Sequence, residues 1–222
     1  MSATSEAVLP RYGFGDELAS SVIHGIGILL SILGLVVLVV RAADTGTASD
    51  VLASAVYGMS LVLLYTASTL YHTIRTESAR RLLRTLDHIA IFLLIAGTYT
   101  PFTLIALRGA WGWSLFGMVW SLALLGSALE LGMLKRYRRF AVLLYIAMGW
   151  VGMIAFRPLL AHLQTGGMVL LLAGGAAYTL GVPFYLWRRL PYHHSVWHFF
   201  VLTGSVLQFL AVLFYVIPTA PL

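Results

Sequence analysis

Seven long apolar runs, separated by short polar breaks, recur along the whole chain. Each run approaches the ~20 residues that an α-helix needs to cross ~30 Å of hydrocarbon. The pattern therefore predicts an all-α fold, in which seven transmembrane helices form one bundle in a polytopic membrane protein. The predicted spans are 18–41, 50–72, 87–107, 112–133, 140–156, 167–187 and 194–217.

The composition agrees with this prediction. Hydrophobic residues make up 60% of the chain and charged residues only 10%, at a mean hydropathy of +0.90. Soluble domains are about 45–50% apolar and about 25% charged, so a soluble fold is excluded. The polar breaks are too short to bury a core of their own. We therefore expect one transmembrane domain at 18–217, a cytoplasmic tail at 1–17 and an external tail at 218–222.

Basic residues are distributed unequally between the two sides of the predicted bundle. Eleven of the fourteen Lys and Arg residues lie in the N-terminal tail and in the breaks that share its side, which are 73–86, 134–139 and 188–193. Because Lys and Arg accumulate in short cytoplasmic loops, we expect the N-terminus inside and the C-terminus outside a bacterial inner (plasma) membrane. The same residues would touch anionic lipid head groups, so the pI of about 9.8 indicates no nucleic-acid partner.

Most ionisable side chains of the spans fall near their predicted cytoplasmic ends. Such groups are costly inside a membrane, and those that occur tend to mark function. Six of the seven His share this depth, and His162 alone is expected in an outer loop, exposed. The layer consists of Glu17, His24, His72, Asp87, His88, Glu130, His193, His194 and His198, and the polar Ser68 lies at the same depth.

The spacing of the histidines indicates a metal site. His194 and His198 are four residues apart, so a helix places both rings on one face, as in helical pairs that chelate zinc. His193 points elsewhere and is expected to be a bystander. Three neutral imidazoles and one open position describe a catalytic zinc site, and His72 supplies the third imidazole from the same depth. A single His could instead snorkel or bond a loop carbonyl, and imidazoles also accept other divalent ions.

Three further side chains and one more His are candidates around this Zn²⁺ site. Asp87, predicted at the start of the third span, could relay a proton, ligate the metal or merely cap the helix, and we favour a functional role. Ser68 could position a water, polarise a carbonyl or bond its own helix backbone. Glu17 and His24 share a face of the first helix and could orient the ligands or form a structural clamp.

Three ordered segments resemble the hemolysin III family, the bacterial branch of the progestin and adipoQ receptor superfamily. They are ELASSVIHGIG at 17–27, STLYH at 68–72 followed by LD at 86–87, and HSVWH at 194–198. The resemblance implies a seven-helix bundle with its N-terminus inside. It also implies zinc on His72, His194 and His198, with Asp87 bound through water and Ser68 nearby.

Function is less constrained than the site. The adiponectin-receptor side of the superfamily implies ceramidase-like chemistry, so our leading hypothesis is a zinc-dependent hydrolase of lipid amide or ester bonds, with membrane lipids as partners and a lipid as substrate. The alternative is a non-enzymatic regulator of membrane fluidity or energetics, or a cytolytic hemolysin-like protein, in which zinc is structural. A channel is disfavoured because no ring of polar residues continues through the outer half of the bundle. No protein partner is indicated.

Overall fold

A computed structural model describes residues 12–132 and 138–218 of the chain. Its α-helices are α1 (Phe14–Thr45), α2 (Ala48–Thr73), α3 (Glu77–Pro101), α4 (Gly109–Leu131), α5 (Arg138–Trp150), α6 (Phe156–His162), α7 (Thr165–Leu186) and α8 (His193–Ala211). Short π-helical turns, Phe102–Leu107 and Val212–Val216, extend α3 and α8, and a 3₁₀ turn, Val151–Ala155, joins α5 to α6. No strand occurs among these residues.

Seven segments of the described chain are long and apolar enough to cross a membrane, with α5 and α6 together forming the fifth. The predicted all-α, multi-pass architecture is therefore confirmed. Three basic residues that contribute to the predicted orientation, Arg11, Lys135 and Arg136, lie outside the described residues. The orientation stays a prediction.

The largest boundary correction concerns the third span. It begins at Glu77 instead of 87, and the preceding break shrinks to 74–76. The added segment is rich in Arg, Leu, Glu and Ala, which favour helix, although its charges make it too polar for a transmembrane window. Asp87 thus lies about 15 Å along the helix from its first residue. The helix-cap explanation for Asp87 is wrong.

Smaller corrections affect the first and fifth spans. α1 begins at Phe14, four residues before the predicted span, and Glu17 lies in its first turn. The fifth span, predicted to end at 156, continues through the 3₁₀ turn to His162. The 3₁₀ turn precedes Pro158, which lacks an N–H and crowds the turn before it. His162 is exposed as expected, but it lies in the last turn of α6, where Nδ1 donates to the Pro158 carbonyl over 2.8 Å.

α1 holds together the two helices that carry the predicted metal ligands. It packs on both α2 and α8, while α2 also packs on α3 and α7 on α8. Its buried face carries small residues that let neighbouring helices approach closely. A Cβ on Gly27 would lie 2.5 Å from the ring of Tyr65 in α2, and one on Gly34 would lie 2.9 Å from the ring of Phe209 in α8.

We expect Gly27→Ala to destabilise the bundle by about 1–3 kcal/mol, because the added methyl overpacks the contact with Tyr65. Gly25→Ala is the matched control on the same helix, since a Cβ there meets nothing within 4 Å. Alanine is the better helix former by about 1 kcal/mol, so the control should be neutral or stabilising. Thermal unfolding midpoints of the two purified variants make the comparison, and equal midpoints would contradict this account of α1 packing.

Candidate metal centre

Three buried imidazoles from α2 and α8 meet at one end of the bundle. The exposed fractions of His72, His194 and His198 are 6%, 5% and 3%. Nε2 of His72 lies 3.2 Å from Nε2 of His194 and 3.0 Å from Nε2 of His198. One ligand atom from each of the three residues lies within 4.8 Å of the others. We call these residues the His cluster.

The geometry of the His cluster suits a metal ion. Ligand nitrogens at ~2.0–2.1 Å from a tetrahedral ion stand about 3.3 Å apart, which is close to the two separations observed. The four-residue spacing of His194 and His198 on α8 brings their rings to one face, as expected. The described chain therefore contains a buried three-histidine site that could bind a metal ion.

A carboxylate fixes the orientation of one ligand. Nδ1 of His72 lies 2.6 Å from Oε2 of Glu17, and Arg80 donates to the other oxygen of the same carboxylate. With its Nδ1 proton donated to Glu17, His72 keeps a lone pair on Nε2, the atom that faces the other imidazoles. In the sequence, Arg80 counted only among the basic residues that predict the membrane orientation. In the structure, it helps to hold Glu17 in place.

We expect Glu17→Gln to weaken metal binding about 10- to 100-fold, as is usual for residues that orient a ligating His. The amide can no longer stabilise the ligating tautomer through a charged acceptor. Competition against a chelator of known affinity measures the change. Asp44→Asn, an exposed carboxylate at the far end of α1, is the control. Unchanged affinity in Glu17→Gln would refute the orienting role.

The remaining two histidines near the cluster behave differently from one another. His24 packs its ring edge-on against His198, with 3.8 Å between centroids, and both its nitrogens are buried without a hydrogen-bond partner among the described residues. His24 therefore supports His198 through this ring contact. His193 directs Nδ1 to the Phe184 carbonyl at 3.2 Å, away from the His cluster.

The two predicted catalytic side chains occupy different surroundings. Asp87 is buried and lines an apolar cavity of about 180 Å³ that His24, His194 and His198 also line. Ser68 is fully buried one turn before His72 and is not among the lining residues. Its Oγ has no hydrogen-bond partner in the described part of the chain, so the bond to its own helix backbone that we considered is not formed.

A second buried pair, His88 and Glu130, lies beside this cavity. Nδ1 of His88 is 2.9 Å from Oε1 of Glu130, and the Tyr145 hydroxyl donates to the His88 carbonyl over 3.3 Å. His88 lines the cavity, whereas Glu130 is 1% exposed at the end of α4. The pair joins α3 to α4, and the Tyr145 bond links α5 to the same place.

Two residues at this end escaped the sequence prediction. Oδ1 of Asp16 accepts a 2.8 Å hydrogen bond from the backbone N–H of Ser195, so α1 caps the helix that carries two of the ligands. Tyr12 stacks on His194, with 4.2 Å between ring centroids. The signal for Asp16 was present, because Asp16, Ser20 and His24 recur every four residues on one helix face. Tyr12 lies in a stretch predicted to be a tail.

Comparisons with known proteins agree with the motifs. A profile of the haemolysin-III related family matches residues 12–209. The chain is 49% identical over 205 residues to "Hemolysin-3" of Bacillus cereus, and the aligned region covers 92% of this chain and 94% of that protein. It is 46% identical over 200 residues to the "Hemolysin-3 homolog" of Bacillus subtilis (strain 168), covering 90% and 94%. It is 27% identical over 168 residues to the human "Monocyte to macrophage differentiation factor", covering 71% and 67%.

The matched region contains every segment on which the resemblance rests, from Glu17 to His198, and the human relative agrees with the wider superfamily. The seven spans agree with a multi-pass protein of a bacterial membrane. Taken with the extent of the match to the two Bacillus proteins, these findings show that the chain belongs to the haemolysin-III related family.

Proposed function

We propose that this chain is a zinc-dependent hydrolase of lipid amide or ester bonds, with ceramidase-like chemistry at the His cluster. The observation that carries the proposal is the opening of two of the three imidazoles, His194 and His198, into an apolar cavity that Asp87 also lines. A metal-binding group, a carboxylate and space for a hydrocarbon chain then share one buried chamber. Membrane lipids supply substrates of this kind directly from the bilayer.

Zinc is the metal that we assign to the site. Three imidazoles with no thiolate are a typical catalytic donor set for zinc, and the chain contains no Cys. When bound, zinc would polarise a carbonyl and make a water molecule acidic enough to react near neutral pH. His72, His194 and His198 would hold it, while Glu17 and Arg80 keep His72 in the required orientation.

Asp87 is the proposed proton carrier. The carboxylate would accept a proton from the attacking water as the new C–O bond forms at the substrate carbonyl. It would return that proton to the leaving nitrogen or oxygen as the amide or ester bond breaks. A position inside α3, on the cavity wall, suits this role better than the helix terminus predicted from sequence.

Ser68 is proposed to bind an oxygen beside His72. Its buried Oγ has no partner among the described residues, and a hydroxyl can both donate and accept a hydrogen bond. Ser68 lies one turn from His72 on α2, so we place the bound oxygen on the metal side of the chamber. The substrate chain itself would follow the apolar wall.

The direct test is release of fatty acid from short-chain ceramides and phospholipids by purified protein in detergent or lipid discs. We expect release by the wild-type protein, loss of release after chelation and recovery on adding zinc. Absence of release from amide and ester substrates alike, by protein that contains zinc, would refute the hydrolase proposal.

One observation favours a second candidate function, a regulator of membrane state with structural zinc. α2 packs mainly on α1 and α3, and α8 packs mainly on α7, so an ion held by His72, His194 and His198 would staple two helices that share few direct contacts. Cytolysis, to which the names of the Bacillus relatives refer, would then follow from a perturbed membrane. Chelation should lower the stability of a stapled bundle. A loss of stability in a protein that releases no fatty acid would favour the regulator.

A further inference from the structure

Where α7 and α8 pack together, each helix places one long polar side chain against a glycine of the other. Gly174 precedes Tyr178 by four residues on α7, and Gly204 precedes Gln208 by four residues on α8. A Cβ on Gly204 would come within 2.8 Å of the Tyr178 ring, and one on Gly174 within 2.6 Å of Cγ of Gln208. Each helix thus offers a glycine to the side chain of the other. The arrangement sets Tyr178 and Gln208 about one helical turn apart in the middle of the bundle.

Both side chains line the apolar cavity that leads from the His cluster. Gln208 is only 9% exposed, and its amide forms no hydrogen bond with any other described residue. A primary amide carries two donor hydrogens and an acceptor oxygen, and burying it without partners is unfavourable. The cavity wall therefore presents an amide that has no partner among the described residues.

Counting hydrogens shows that Tyr178 can also offer a donor to the cavity. The Tyr65 hydroxyl donates to Oγ of Ser205 over 2.7 Å, and Oγ of Ser205 is 2.7 Å from the Tyr178 hydroxyl. Three hydroxyls carry three hydrogens, but only two contacts join them. When Tyr65 donates to Ser205 and Ser205 donates to Tyr178, the remaining hydrogen belongs to Tyr178. Of these three residues, Tyr178 is the one that lines the cavity.

The distance of Tyr178 and Gln208 from the His cluster determines which part of a bound lipid would lie beside them. Gln208 follows His198 by ten residues on α8, which corresponds to about 15 Å along the helix axis. His198 lines the same cavity. A lipid whose carbonyl group lies at the His cluster would therefore place the middle of its acyl chain beside Tyr178 and Gln208.

We propose that Tyr178 and Gln208 bind a hydroxyl group near the middle of an acyl chain, so that the cavity prefers hydroxylated acyl lipids to unsubstituted ones. A hydroxyl accepts from Tyr178 and donates to the Gln208 amide oxygen, while Leu171, Leu172 and Val201 contact the flanking methylene groups. The inference rests on the proposed function for the direction in which the chain enters. It does not require that the bond be hydrolysed.

The test is a binding competition in which fatty acids displace a fluorescent fatty acid from the purified protein. Octadecanoate is compared with two isomers of hydroxyoctadecanoate, one hydroxylated at mid-chain and one beside the carboxylate. We expect the mid-chain isomer to bind about two- to tenfold more tightly than the other two, the ratio that one net hydrogen bond provides. Tyr178→Phe and Gln208→Met should each reduce this ratio toward one.

Thr203→Val is the matched control on α8, because the Thr203 hydroxyl bonds the carbonyl of Phe199 on its own helix and does not line the cavity. It should keep the wild-type preference. Equal affinities of the wild-type protein for all three acids, no binding of any of them, or a preference that survives in both cavity variants would overturn the inference. A retained preference in a protein without hydrolytic activity would refute the proposed function alone.

Discussion

Replacing His72 or His198 with alanine is expected to abolish metal binding, from about one ion per chain to a small fraction of that value. Each substitution removes one of three imidazoles whose ligand atoms converge within 4.8 Å. Two neutral imidazoles with no thiolate make a weak site, because structural and catalytic zinc sites need three or four protein ligands. Elemental analysis of purified protein after dialysis against zinc-free buffer measures the change.

His193→Ala is the matched control for this experiment. His193 is adjacent to His194 and begins the same helix, but its Nδ1 faces the Phe184 carbonyl and not the His cluster. It should retain the full metal content. Equal metal content in His72→Ala and His193→Ala would mean that the cluster does not hold the ion, and the proposed function would fail with it.

Asp87→Asn should lower the rate of lipid hydrolysis by about 10²- to 10⁴-fold, the usual contribution of a positioned general acid–base group. An amide of the same shape cannot carry the proton from water to the leaving group. Fatty-acid release and metal content should be measured on the same preparation, because unchanged metal content separates a proton carrier from a metal ligand.

Glu77→Gln provides the comparison within α3, since Glu77 is exposed and pairs with Arg81 through a 2.7 Å contact. That variant should hydrolyse lipid at the wild-type rate. A wild-type rate in Asp87→Asn would remove Asp87 from the mechanism. A parallel loss of metal and activity would instead make Asp87 a ligand.

Hydropathy and helical spacing are enough to predict much of the metal site from the sequence. His194 and His198 had to share a helix face, and helix direction put His72 at the same end of the bundle. The meeting of the three rings depended on α1, which packs on both α2 and α8. No pattern within α2 or α8 specifies that contact, because it depends on how a third helix fits both.

The start of the third span was predicted wrongly because the segment before it is polar but still forms a helix. The segment before Asp87 is charged, so a hydropathy window stops there, yet its residues continue the helix to Glu77. The sequence patterns also did not predict contacts between distant segments. Arg80 bonds Glu17 and Asp16 caps α8, and both pairings join residues far apart in the chain.

By itself, the sequence determined that this chain has seven membrane-spanning segments and gathers six of its seven histidines at one end, because both properties follow from residue order and helical period. Only the tertiary structure decided that Glu17 orients His72, that Asp87 faces a cavity, and that Tyr178 and Gln208 reach into it. These depend on which helices lie side by side and how closely their glycines let them approach, and packing of that kind is a property of the assembled bundle.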